Sequence, residues 1–333
     1  MGSMNKQYDV LGAGIAAVDD LIYVSDFPAV DCKIPVHAST RQGGGPACTA
    51  VAAVGSLGGR AAYTARFSDN DLSKFIGTAL KHHGVDTSPI QYDPAGGPYH
   101  SIIVVDGAGH RNVFYDPALY RVVAANDLPD ELIQSARLFL LDHLTEPSLV
   151  PVAEKVRRLG VPILGDIEGQ TQSAMSLAAL TDYLIVPKAF ALWASNAEDP
   201  HDGCAFLART PRLATVVTDG PHGCIFCTRT NPEVRHFPAF AVDALDTNGC
   251  GDTFHGAFAL AIVRSLEVEE AITFASAAAA LKAIAAGGQH RGWDALPTLD
   301  EVLQFLQATL DGPERSALLA KLATLRNPAE LAG

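Results

Sequence analysis

From Ala136 onward the chain alternates short apolar runs with amphipathic stretches, and this rhythm constrains the fold more than any other feature. Leu138 to Leu141, Val161 to Leu164, Tyr183 to Val186 and Thr215 to Val217 are runs of strand length. Continuous apolar runs, rather than alternating ones, mark strands buried on both faces. Between the first two runs, Leu149, Val152, Ala153, Val156 and Leu159 recur every three or four residues, the stripe of an amphipathic helix, and Gly160 stops it. Strands spaced by helices in this way form a parallel sheet with helices on both faces. Ligands of such sheets sit at the carboxyl ends of the strands.

The first third of the chain breaks the rhythm. Tyr8 to Gly12 reads as a buried strand, but Asp20 to Ser25 and His37 to Thr40 read as further strands with no helix between them. Pro46 to Leu57 is a helix of small residues, opened by proline and closed by Gly58-Gly59. Asp71 to His83 carries a second amphipathic stripe. Ser101 to Val105 and Arg111 to Tyr115 flank the turn Asp106-Gly107-Ala108-Gly109 as a hairpin. The expected organisation is an α/β core of residues 4–18, 41–98 and 117–330, with residues 19–40 and 99–116 as a small β-rich lid.

Composition removes several classes of function. With 333 residues, 48% hydrophobic and 18% charged, the chain is an ordinary cored globule. A net charge of -13 argues against a nucleic-acid partner, which needs a basic face. It leaves a nucleotide ligand open. No apolar run reaches the roughly 18 residues of a membrane span, and the polar stretch Met1 to Gln7 is unlike a secretory leader. A cytoplasmic location is therefore expected, and the six scattered cysteines fit reduced thiols. Cys224 and Cys227 form a CxxC around Ile225 and Phe226, which reads as strand, and no second pair completes a zinc site.

Chemistry concentrates in Asp246-Thr247-Asn248-Gly249-Cys250-Gly251-Asp252-Thr253-Phe254. Gly249 to Gly251 reads as a tight turn, and Asp252 to Leu266 as a helix. A glycine-rich turn entering a helix aims backbone N–H groups and the positive end of the dipole at one spot, which suits a phosphate. A carboxylate beside that spot can take a proton from an attacking hydroxyl. Asp252 also reads as a plain N-cap. Arg41-Gln42-Gly43-Gly44-Gly45-Pro46 is a second glycine-rich helix entry, and Thr218-Asp219-Gly220-Pro221-His222-Gly223 a turn after a strand. Gly12-Ala13-Gly14 imitates a dinucleotide fingerprint but lacks the acidic residue about 20 positions on.

Taken together and in this order, these segments resemble the PfkB, or ribokinase, family of carbohydrate kinases from about Asp9 to Leu306. The stretch from Asp246 to Phe254 matches the family's D-T-x-G-A-G-D-x-F box, with Cys250 in place of alanine. The resemblance implies a three-layer parallel-sheet ribokinase-like domain with a small β-sheet lid, and an ATP-dependent sugar kinase that uses Mg2+. It implies Asp252 as catalytic base and the N–H groups of Gly249, Cys250 and Gly251 as the anion hole. Thr218, Gly220 and Gly223 would bind ATP, with Lys188 on its phosphates. Asp19, Asp31, Gly44, Gly45, Thr49 and Arg111 would meet the sugar. A K+ ion near Asp246 and a homodimer formed through the lid are further implications.

The chain departs from the family where Pro187-Lys188-Ala189-Phe190-Ala191 replaces Asn-x-x-Glu, which leaves Asp166 or Glu168 to support the metal. Thr49 stands where ribokinases and ketohexokinases have asparagine. Gly43 to Ala47, Phe254 to Ala257, and Ala280-Leu281-Lys282 followed by Gly287-Gly288 are similar to bacterial sulfofructose kinases. Asp31 and Lys188 are similar to ketohexokinases. Both branches act on ketoses at a primary hydroxyl, so a fructose-like or 6-deoxy-6-sulfofructose substrate is expected. Lys33, Arg41 and Arg111 would serve an anionic substituent. A nucleoside kinase of the same fold and a non-catalytic sugar-binding homologue are the alternatives.

Overall fold

Every apolar run named above forms a strand in the computed structural model of the chain, which describes residues 6–108, 110–143, 148–284, 292–311 and 313–323. Met1 to Ser3, Gly109 and the Gly287-Gly288 pair lie outside the described residues. The elements run β1 (Tyr8–Ala13), β2 (Ala17–Tyr23), β3 (Ala38–Gly44), α1 (Pro46–Ser56), β4 (Ala61–Thr64), β5 (Arg66–Phe67), α2 (Asp71–His82), β6 (Val85–Asp86), β7 (Gln91–Tyr92), β8 (Tyr99–Val105) and β9 (Arg111–Asp116). They continue with α3 (Asp130–Gln134), β10 (Ala136–Asp142), α4 (Val150–Arg158), β11 (Ile163–Asp166), α5 (Gln172–Ala178), β12 (Tyr183–Pro187), α6 (Lys188–Ser195), α7 (Pro200–Leu207), β13 (Ala214–Thr218), β14 (Cys224–Thr228) and β15 (Arg235–Phe237). The chain then closes with α8 (Cys250–Val263), α9 (Val268–Ile284), α10 (Leu299–Thr309) and α11 (Pro313–Ala323).

Nine strands make the main sheet in the order β15-β14-β13-β12-β11-β10-β1-β4-β6. It is parallel from β13 to β6, and β14 and β15 join antiparallel at one edge. Successive strand side chains point to opposite faces, and here both faces are covered. Val10, Leu138, Leu140, Leu164, Ile185 and Val216 bury against one layer of helices that includes α1, α8 and α9. Leu11, Phe139, Leu141, Ile163, Leu184 and Val217 bury against the other, which includes α4 to α7. CxxC strand β14 is part of this packing, and its Cys224 and Cys227 are buried free thiols.

A second sheet, β3-β2-β8-β9, holds the strands that broke the βα rhythm. Its strands are longer toward the glycine-rich segment than the apolar pattern suggests. Ala17 pairs with Gly44 and Asp19 with Gln42, because antiparallel ladder bonds extend β3 through residues of low strand propensity. Asp19 thereby lies within β2 rather than at a loop entry.

The dinucleotide reading fails here for a physical reason. β1 is followed directly by β2, so no helix N-terminus stands after Gly12-Ala13-Gly14 to meet a pyrophosphate. Among the described residues no helix is long and apolar enough to cross a membrane.

Candidate active site

The parallel strands end along one edge of the main sheet. Their register sets Ala13 beside Leu141 and Thr64, Asp142 beside Asp166, and Pro187 beside Thr218. Segments far apart in sequence are thus brought to one line. Asp142 is the first residue there that sequence reasoning missed. Its Oδ2 accepts from the backbone N–H of Ile15 at 2.7 Å and of Ala47 at 3.2 Å, tying the β1–β2 connection to the start of α1. A lone aspartate ending a strand carries no signal of that role.

Helix α8 points its N-terminus at this edge, and its start corrects the sequence reading. The helix begins at Cys250, two residues earlier than expected, because Gly249 adopts the left-handed conformation (φ 74°) and is itself the N-cap. Asp252 is therefore not a cap. It sits in the first turn at the third helical position. The first N–H of a helix with an intrahelical acceptor is four residues past the first carbonyl, and here Thr253 donates to Gly249 at 2.9 Å. The Cys250 N–H reaches Thr247 at a long 3.3 Å. Those of Gly251 and Asp252 are left by helix geometry for a ligand.

Burial pushes the Asp252 carboxyl well above the usual carboxylate range, the negative charge of Asp166 adds to this, and His255 opposes it. One turn along, the His255 Nδ1–H donates to the Gly251 carbonyl at 2.7 Å, and Nε2 stands 3.3 Å from Asp166 Oδ1. Asp166 is fully buried, its own acid strength lowered by burial first and by Glu168 next. Neither of its oxygens receives a hydrogen bond among the described residues. Glu168 is exposed.

On the side of the small sheet, Asp19 is 8% exposed, and burial raises its carboxyl to about 6. It stands so close over Gly44 that a β-carbon there would collide with Oδ2, so any larger residue would push the Asp19 carboxylate from its place. Gly45 caps α1. Thr49 is buried on α1, and its hydroxyl accepts from Trp293 Nε1 at 3.0 Å, a partner supplied from far down the chain. Arg111, exposed at the start of β9, reaches Asn248 Oδ1 at 3.4 Å and so links the small sheet to the loop before α8. Between them lies a cleft of about 520 Å³, lined in part by Leu21, Ile103, Arg111, Asp246 and Asn248. Asp31 is not brought into it: the residue is exposed on the β2–β3 connection with φ 61°. Arg41 is committed elsewhere, paired with Asp20 at 2.6 and 2.7 Å, and Lys33 is exposed.

At the other end of the edge, Thr218 ends β13, Gly220 to His222 form a single 3-10 turn, and Gly223 returns the chain into β14. Lys188 opens α6 and pairs with Asp219 at 2.9 Å, so its ammonium lies at this turn.

Comparison with known proteins agrees with this architecture. The family model described as "pfkB family carbohydrate kinase" matches residues 9–295. Fructokinase-1 of Zea mays is 28% identical over 293 residues, covering 80% of this chain and 88% of its own. An ATP-dependent ribose-1-phosphate kinase of Halopiger xanaduensis is 26% identical over 312 residues, covering 91% and 99%. The structure of Arabidopsis thaliana ribokinase complexed with ribose and ATP superposes with a TM-score of 0.79 at 21% identity, covering 91% of this chain and 99% of that one. This last likeness speaks for the fold.

Proposed function

Because the chain belongs to the pfkB family of carbohydrate kinases, we propose that it transfers the γ-phosphate of ATP to a primary hydroxyl of a ketose or ketose derivative. The observation that carries the reading is Asp252, a carboxylate of raised pKa in the first turn of α8, beside N–H groups that have no partner in the helix. One position thus offers both a proton acceptor and an anion hole.

In the reaction, the hydroxyl oxygen forms a bond to the γ-phosphorus as the bond to the β-phosphate oxygen breaks, and ADP leaves with that electron pair. Asp252 takes the hydroxyl proton. The amides of Gly249 and Gly251, joined by that of Cys250 as it gives up its long bond to Thr247 and by that of Asp252, hold the charge that grows on the transferring group. Asp19 accepts from sugar hydroxyls over the Gly44–Gly45 backbone, with Thr49 and Arg111 bordering the site. The Thr218 to Gly223 turn cradles ATP, and Lys188 exchanges Asp219 for its phosphates.

Magnesium bound with ATP would shield the phosphate charge. The two buried oxygens of Asp166, which receive no hydrogen bond among the described residues although His255 stands beside Oδ1, suit the water shell of such an ion. Asp246 Oδ2, also buried and without a hydrogen-bond partner among the described residues, is the corresponding place for a monovalent cation. The small sheet acts as a lid that excludes water, and the protein works in the cytoplasm as a homodimer.

The test is ADP release across ketoses, aldoses, sulfonated sugars and nucleosides, with and without magnesium. A ketose is expected to give the highest kcat/KM. Preference for a nucleoside would move the chain to that branch of the fold, and no ADP with any acceptor would remove the catalytic reading.

A further inference from the structure

Lys282 is the least expected side chain in the core. It lies on α9, on the same face as Ala271, Ala275 and Ala278, one turn beyond the last of them. These small residues let α9 press against α8. At the end of that stripe stands a lysine that is 1% exposed and among the largest fully buried side chains of the protein. Among the described residues its Nζ has no hydrogen-bond partner, and no carboxylate lies within ion-pair distance of it. An isolated buried ammonium costs several kcal/mol, so a charged lysine at this position calls for an anion to complete it.

Its surroundings indicate where that anion sits. Cε of Lys282 is 3.9 Å from where a β-carbon on Gly249 would stand, and the same point is 3.5 Å from Thr49 and 3.9 Å from Asp252 Oδ2. Its positive charge acts on the Cys250 thiol. The loop before α8 is also bolted to the residue beside it, since Leu245 and Asp246 both donate to the Ala283 carbonyl, at 2.8 and 3.1 Å. The ammonium and the free N–H groups of α8 therefore keep a fixed relation.

We propose that Lys282 is a catalytic residue whose ammonium contacts the transferring phosphoryl group, completing the anion hole at the N-terminus of α8 with a full positive charge. The inference rests on the kinase reading above. A helix N-terminus offers about half a charge; the ammonium adds a whole one that arrives pre-oriented, with no reorganisation during transfer. Lys282 moves no proton in this step, since Asp252 takes the one released.

The test compares Lys282→Met and Lys282→Gln with the wild type. Both remove the charge at similar length, and because they relieve a buried ion, the ligand-free melting temperature should hold or rise. Should the methionine variant fail to fold, the glutamine variant answers alone. With a neutral ketose, kcat should fall roughly 100-fold or more, the cost of losing one strong oxyanion donor, while the sugar KM changes little. ADP with aluminium fluoride and sugar should raise the wild-type melting temperature beyond ADP and sugar alone, and the variants should lose that increment.

Variants that keep kcat within about three-fold, or keep the fluoride-dependent increment, would overturn the proposal. So would a defect confined to the KM of sulfonated or phosphorylated sugars, which would assign the lysine to the acceptor. If the wild type itself makes no ADP with any sugar, the kinase reading fails separately. The anion site is then judged on the fluoride increment alone, and its absence from the wild type would overturn it.

Discussion

Two carboxylates near the small sheet and α8 are held in states that suit chemistry better than stability. Asp252 is the sharper case. Burial raises its pKa, so it must lose a proton at a cost before it can accept one. Replacing it by asparagine should lower kcat by roughly 10²- to 10⁴-fold, the range for removal of a general base, with sugar binding measured by calorimetry retained. Wild-type kcat/KM should climb with pH through the raised value of this group, because only the ionised form is a base. Near-normal turnover in Asp252→Asn would remove it as the base. Asp19 follows the same logic with a window that can be named. Its carboxyl titrates near 6 in the folded chain against 3.8 when free. The native state thus binds more protons between those values, and stability falls as pH rises from about 4 to 6, staying lower above that. The shift corresponds to a destabilisation of about 3 kcal/mol at neutral pH. Asp19→Asn should therefore melt higher than wild type at pH 8 and equally at pH 4, while losing sugar affinity at both. A variant that melts lower at pH 8 would show that the carboxylate is stabilised by contacts that outweigh its burial.

At the scale of the element, the start of α8 separates what a backbone does from what a side chain does. The Cys250 N–H turns back to Thr247 at 3.3 Å, and its sulfur, among the described residues, reaches the Asp246 carbonyl at 3.7 Å, so under the proposed mechanism the side chain has no part in the transfer. Cys250→Ala should keep kcat within about two-fold. Gly249→Ala keeps every N–H but forces a β-carbon into φ 74°, at roughly 1 kcal/mol of strain. No clash accompanies it, since the nearest atom is at 3.5 Å. A small loss of stability with a larger loss of kcat is expected there, and equal losses for the two variants would show that the cysteine side chain matters after all. This element also shows how much of the site could be read without coordinates. Glycines, aspartates and threonines fall within nine consecutive residues, so the turn and the helix were legible together, and only the point of helix entry shifted. Asp142, Trp293 and Lys282 were a different matter. Lys282 stood out only as part of a similarity to one branch of the family. Each is an ordinary residue type in its own segment and acquires a role when a sheet edge or a helix pair brings it to Thr49, Ala47 or Gly249. The same holds for Lys188, whose pairing with Asp219 depends on β12 and β13 being neighbours. Asp31 shows the converse, since local similarity singled it out and the chain leaves it on an exposed connection.

For the whole molecule, the βα rhythm foretold the main sheet because burial on both faces leaves a mark on every strand. The small sheet was marked by breaking that rhythm, and part of its outer face is left open among the described residues. Asp19 pairs with Ser101 on the side of the site, while the next register pairs, Asp20 with Ile102 and Ile102 with Phe114, face the other way. Ile102 is 41% and Phe114 61% exposed. Neighbouring apolar side chains on the open face of a sheet are a surface that seeks a partner, and a second copy of the chain would cover it. Because the same strands carry Asp19 and Arg111, such a contact would also hold the lid in register over the cleft. Wild-type protein is then expected to sediment as two 35.0 kDa chains. The double variant Ile102→Lys, Phe114→Lys places two charges on that face and should shift the protein to a single chain. Its sugar KM should rise with loss of lid register, while the core melts as before. A wild type that sediments as a monomer, or a double variant that remains a dimer, would move the interface away from this sheet.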